Sequence, residues 1–149
     1  MKEIIVYQFE KEIEAPIELV FDCVCKDEHI QNWNSVFVEN IYEDGADPLK
    51  AGTKFINKAQ LGKKIVEIKC EVIEANAPYS ATIQSTTKEG ISSTTYAFIK
   101  TEVGTKMTVE VRNQSKNIFY RIAHKSMKFF IKAFHDEEFE NCVSYISKP

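Results

Sequence analysis

Residues 105–147 read TKMTVEVRNQSKNIFYRIAHKSMKFFIKAFHDEEFENCVSYIS, and the spacing of their apolar positions changes partway along. From Thr105 to Asn113 the step is two, with Met107, Val109 and Val111 on one face, as on a half-buried strand. Beyond Asn113 the steps become three and four. Phe119, Ile122, Ala123, Met127, Phe130, Ile131, Phe134, Phe139, Cys142, Val143 and Ile146 then predict one long amphipathic helix over residues 117–147. At a rise of about 1.5 Å per residue it is long enough to cross a whole sheet.

Working backward, residues 53–113 read as successive strands with short turns. Thr53–Gln60 closes at Leu61-Gly62. Lys63–Ala75 alternates Val66, Ile68, Cys70 and Val72 against Glu67, Lys69 and Glu71. Asn76-Ala77-Pro78 turns the chain, Tyr79–Thr87 follows, and Lys88-Glu89-Gly90 turns it again. Ile91–Thr101 puts Tyr96 and Phe98 on one face, and Val103-Gly104 leads into the last strand. This is an antiparallel meander, which must bury one face against a partner. The long helix is the only large partner the sequence offers.

Residues 3–14 predict a further strand, with Ile5, Tyr7, Phe9 and Ile13 on one face and Lys11 interrupting the row. After Ala15-Pro16, the spacing of Ile17, Val20, Phe21 and Val24 predicts a short helix over 16–25, with Glu18 near its positive end. Residues 27–34 predict a second short helix capped by Asp27. Residues 36–42 predict a strand, and 43–52, with Gly45, Pro48 and Gly52, a loop.

The order strand, two short helices, meander, long helix resembles the START-related superfamily (SRPBCC). Birch-pollen-allergen-like proteins, polyketide cyclases and lipid-transfer domains belong to it. The residues that carry the resemblance are Ile13-Glu14-Ala15-Pro16-Ile17-Glu18-Leu19-Val20-Phe21-Asp22, the tryptophan of His29-Ile30-Gln31-Asn32-Trp33-Asn34, Ala51-Gly52-Thr53 and Gly104-Thr105. The resemblance implies an α+β helix-grip fold. A strongly curved antiparallel sheet of about seven strands wraps the C-terminal helix, as one domain over residues 1–149. It also implies a cavity between sheet and helix. The inward rows then place Phe55, Asn57, Ile68, Val72, Ile83, Tyr96, Phe98, Met107 and Val109 in its wall, with Ser92 and Thr94 beside them. Phe119, Ile122, Met127 and Phe130 face them from the helix, and Trp33 and Phe37 sit near the mouth. Each of these residues also fits an ordinary packed core, where helical stripes normally face.

The chain has 149 residues and a net charge of −3, with 44% hydrophobic and 28% charged residues. A chain of this length can bury a core without disulfide or metal. The acidic balance argues against nucleic acid as a partner. No stretch is long and apolar enough for a membrane span, and the first residues are broken by charge too soon for a signal peptide. The expectation is a cytoplasmic protein, monomeric or weakly homodimeric. Cys23, Cys25, Cys70 and Cys142 lack metal-ligand spacing and read as small buried or half-buried thiols, so no metal or cofactor is expected.

His29, His124 and His135 stand at no triad or metal spacing and read as surface residues. Asp136-Glu137-Glu138 reads as a solvated face. Lys116, Arg121, Lys125, Lys128 and Lys132 form a basic strip, read first as solvated and second as a contact for anionic headgroups. No phosphate loop or nucleophile elbow is present. Three function classes stay open: a carrier of a small hydrophobic ligand (lipid, isoprenoid or polyketide-like), a cyclase or dehydratase using His29, Tyr79 or Tyr96, and a protein-interaction module.

Overall fold

Alternation and turn chemistry place the strands close to where the sequence puts them. The computed structural model describes residues 3–88, 90–114 and 128–148. In chain order the elements are β1 (Glu3–Ile13), α1 (Ile17–Cys25), α2 (Asp27–Ile30), β2 (Phe37–Tyr42), β3 (Lys54–Leu61), β4 (Lys64–Asn76), β5 (Ser80–Thr87), β6 (Gly90–Lys100), β7 (Thr105–Gln114) and α3 (Lys128–Ser147). Of the helix predicted over 117–147, the structure describes Lys128–Ser147, and residues 117–127 lie outside the described residues. The second short helix is a single turn and ends at Ile30 rather than Asn34.

The strands form one antiparallel seven-stranded sheet in the order β1-β7-β6-β5-β4-β3-β2. Curved, with the long helix at its C-terminal side and two short helices after β1, it is the helix-grip fold. Every neighbouring pair except β1–β7 is also consecutive in the chain, so the turns set most of the register.

Three bulges interrupt that register, at Val6, Val38 and Ile73. Each adds one unpaired residue and so reverses the inward row on its strand. The first corrects an expectation. Ile5 does not share the inner face with Tyr7; it is 44% exposed, whereas Tyr7 is 4% exposed.

At one corner the chain ends β1, turns at Ala15-Pro16 and starts α1. Gly104, in the β6–β7 turn, reaches this corner so closely that a Cβ there would lie 2.2 Å from the Ile13 carbonyl oxygen. Its φ of +156° is also one that side chains rarely adopt. Next to it, the buried Thr105 hydroxyl donates to the Ala15 carbonyl at 2.8 Å. The hairpin is thereby locked to the start of α1. Ile17, Val20, Phe21 and Val24 turn inward at helical spacing and are all buried, each stabilising the fold by roughly 1.5–3 kcal/mol.

Beneath α1 the core is solid. Phe98, Met107 and Val109 are 2%, 0% and 1% exposed, and the Phe98 ring meets Phe21 edge-on at 5.7 Å. From α3, Phe139, Cys142 and Ile146 close this core. Phe139 lies against Tyr7, Phe9, Trp33 and Tyr96 with ring centroids 5.6–6.3 Å apart.

The acidic run on α3 is not one solvated face. Glu138 is 6% exposed and accepts hydrogen bonds from the Ser35 backbone N–H at 3.0 Å and from the Ser35 hydroxyl. Asp136 accepts from the Tyr7 hydroxyl at 2.6 Å. The pair with Lys132 also holds the Asp136 carboxyl below its usual range. His135 is half-buried against Tyr7 and Phe139, not a surface residue, and burial lowers its pKa. His124 lies outside the described residues, as do Lys116, Arg121 and Lys125 of the basic strip.

Candidate functional site

Beside the solid core the sheet's inner face is not filled. A cavity of about 250 Å³ lies between strands β2–β6 and a roof formed by the end of α1, the α2 segment and the loop at Pro48-Leu49. Its floor follows the inward rows: Phe55 and Asn57 of β3, Ile68, Cys70 and Val72 of β4, Ile83 and Ser85 of β5, Thr94 and Tyr96 of β6. Val24, Cys25, Ile30 and Trp33 supply the roof. Trp33 is fixed there by its indole N–H, which donates to the Cys23 carbonyl at 2.8 Å. Together with Tyr96, it stands between the cavity and Phe139 of the core.

Nine of the residues predicted from sequence come together in this wall, Trp33, Phe37, Phe55, Asn57, Ile68, Val72, Ile83, Thr94 and Tyr96, whereas Ser92 does not line it. Phe98, Met107 and Val109 do not line it. They share the inward parity, but α1 covers them and they are packed core. Phe130 is also corrected: it is 67% exposed on the outer side of α3, next to Phe129. Phe119, Ile122 and Met127 lie outside the described residues. Among the described residues the roof comes from residues 24–49, and no α3 residue lines the cavity.

One end of the cavity is polar. Tyr42 and Asn40 of β2 both bond the Asp27 carboxylate at 2.9 Å, the phenol to Oδ2 and the amide N–H to Oδ1. Asn57, directly across the ladder from Asn40, donates to the Asn40 Oδ1 at 2.8 Å. The expected capping role of Asp27 is therefore replaced. Lys26 occupies the cap position of α2 without a side-chain bond, and the Asp27 carboxylate binds the strand residues instead. Asp27, Asn40 and Tyr42 were not among the predicted site residues, and for Asn40 and Tyr42 the bulge at Val38 is the reason. With Phe37 inward, strict alternation sends Asn40 and Tyr42 outward. The extra residue turns them in, and it leaves Ile41 42% exposed.

The thiols and phenols in the wall favour their protonated forms. Burial pushes the Cys25 thiol up to about 12, helped by Asp22, and the Cys70 thiol up to about 11. Tyr42 is raised by burial and then by the neighbouring Asp27 charge. Tyr96 is raised chiefly by burial. Neutral thiols are poor nucleophiles, so these cysteines are built for packing rather than attack. All four cysteines are free.

The enzyme candidates do not converge. Tyr79 is 51% exposed and lies away from the cavity. His29 bonds the Tyr145 hydroxyl at 2.7 Å on the far side of the roof. Only Tyr96 lines the cavity, and its hydroxyl has no hydrogen-bond partner among the described residues. No cluster of His, Cys, Asp or Glu among the described residues is arranged to hold a metal. No described helix is long and apolar enough to cross a membrane.

No family model and no curated protein matches the sequence. Solved structures do match over nearly the whole chain. A Staphylococcus aureus protein of unknown function superimposes with a TM-score of 0.76 at 17% identity, covering 97% of this chain and 94% of that one. Ara h 8.0201, of birch-pollen-allergen-like type, gives 0.70 at 13% identity over 97% and 98% of the two chains. A Bacillus halodurans protein gives 0.66 at 20% identity over 99% and 100%. The chain thus has the START-related, birch-pollen-allergen-like fold that the element order implies.

Proposed function

We propose that this protein binds or carries a small hydrophobic ligand, lipid, isoprenoid or polyketide-like, in the cavity under Trp33. The observation that carries this reading is the contrast between the unfilled, mainly apolar space bounded by Phe55, Ile68, Val72 and Ile83 and the solid core beside it. Ligand sites are typically concave and apolar with a few converging polar groups, and the cavity has both parts. Apolar burial at about 25 cal/mol per Å² supplies affinity, and the polar end supplies orientation. The fold shared with Ara h 8.0201 accommodates such a space.

Native mass spectrometry of gently purified protein tests the reading. The expected result is a population carrying a noncovalent mass that organic solvent extracts, or uptake of a member of a hydrophobic library. A chain that arrives empty and takes up nothing from such a library overturns it.

A cyclase or dehydratase is the second reading, favoured by one observation: the Asp27 carboxylate lies in the wall of the same cavity. A positioned carboxylate can move a proton once a flexible substrate is folded beside it. Turnover lost in Asp27→Asn with ligand uptake intact would support this reading over simple carriage.

A further inference from the structure

The charge and hydrogen-bonding balance of the polar end restricts the ligand class. Asp27 accepts one bond on each carboxylate oxygen, from Asn40 and from Tyr42. An ionised carboxylate offers about four acceptor positions, so roughly two remain for a ligand. The Asn40 Oδ1 accepts from Asn57 and keeps a second lone pair. Beside Asp27 most donors are used up; one Asn57 N–H is left there, and the Tyr96 hydroxyl stands elsewhere in the wall. The Tyr42 O–H is committed to Asp27, and the Asn40 N–H group serves Asp27 and lies 3.3 Å from the Tyr42 oxygen. Among the described residues of the wall, Asp27 is the only charged side chain, and no Lys, Arg or His stands there to neutralise a second negative charge.

We infer that the cavity selects an apolar molecule whose polar end is a hydrogen-bond donor, a hydroxyl or an ammonium, and discriminates against a carboxylate. This rests on the ligand-binding reading above and sharpens it. A donor head meets the spare acceptors of Asp27 and Asn40 while its apolar body lies along Phe55, Ile68, Val72 and Ile83. A carboxylate head at this end meets the like charge of Asp27 in a partly desolvated site, which weakens binding by roughly tenfold or more.

The test uses the full chain and displacement of the neutral fluorescent probe N-phenylnaphthylamine by octanol, octylamine and octanoate near pH 7. Their chains match and their heads differ. The expected result is that octanol and octylamine displace the probe at concentrations at least about tenfold below octanoate. In Asp27→Asn the order compresses, with octanoate tightening and octylamine weakening. Octanoate displacing as well as octanol from the wild-type chain overturns the donor-head inference and leaves the cavity reading intact. A probe that never binds, with no uptake of any of the three, overturns the cavity reading itself. The wild-type series is decisive without the variant.

Discussion

Two halves of one sheet face have different fates in this molecule. On β6 and β7, Phe98, Met107 and Val109 are all but unexposed under α1. On β3, β4 and β5, Asn57, Ile68 and Ile83 have the same inward parity but face a cavity of about 250 Å³. The strands differ little in pattern. What differs is the cover. The body of α1 covers the first half, with Phe21 set edge-on against Phe98, whereas only the end of α1, one helical turn and a loop span the second. Tyr96 and Trp33 stand at the boundary. An inward row is necessary for either outcome and decides neither.

Breaking the packed half at its corner is expected to do the most damage. Gly104→Ala pushes a methyl group into the Ile13 carbonyl and is expected to cost roughly 4 kcal/mol, read from urea unfolding. Equivalent truncations in the two halves test the comparison itself. Met107→Ala, at 0% exposure, is expected to cost about 3 kcal/mol. Ile83→Ala, bordering space that is already empty, is expected to cost only about 1 kcal/mol. Equal costs at the two sites would mean that the second half is packed as tightly as the first.

A smaller effect depends on pH. Burial against Tyr7 and Phe139 lowers the His135 pKa from its ordinary 6.5, so the unfolded chain binds that proton more readily than the folded one. Stability from the buried neutral ring is present above about pH 6.5 and is lost as pH falls through and below it toward the folded value. Urea midpoints at about pH 7.5 and about pH 5.5 should show that loss in the wild-type chain and a reduced loss in His135→Phe. The Asp136 carboxyl is likewise held below its ordinary value, so its contribution is also lost as pH falls, but in a lower window, around and below 3.8. The smallest effect is expected at Phe130. At 67% exposure, Phe130→Ala should change stability by no more than about 0.5 kcal/mol. A cost of several kcal/mol there would restore the sequence-based expectation that this ring faces inward.

Most of the candidate wall was legible because Phe55, Asn57, Ile68, Val72, Ile83 and Tyr96 lie on uninterrupted stretches of strand where alternation predicts orientation. Asn40 and Tyr42 were hidden by one bulged residue, Val38, which nothing in the local sequence marks. Ile5 was misplaced for the same reason by Val6. Asp27 was legible as a polar residue at a helix start, but its partners lie 13 and 15 residues away on a strand. The buried Glu138 was disguised by its acidic neighbours, since its partner Ser35 is 103 residues distant.

The sequence by itself determined the elements and their periods: seven strands, two short helices after the first of them and a helical stripe at the end. These follow from local geometry, since side chains alternate across a strand and recur every three or four residues on a helix. Only the tertiary structure decided which inward residues meet solid core and which meet open space. Burial rewards apolar contact without direction, so the same row satisfies either outcome until another element covers it. It also decided which polar residues turn inward, because a bulge moves a side chain across the sheet at no change in composition.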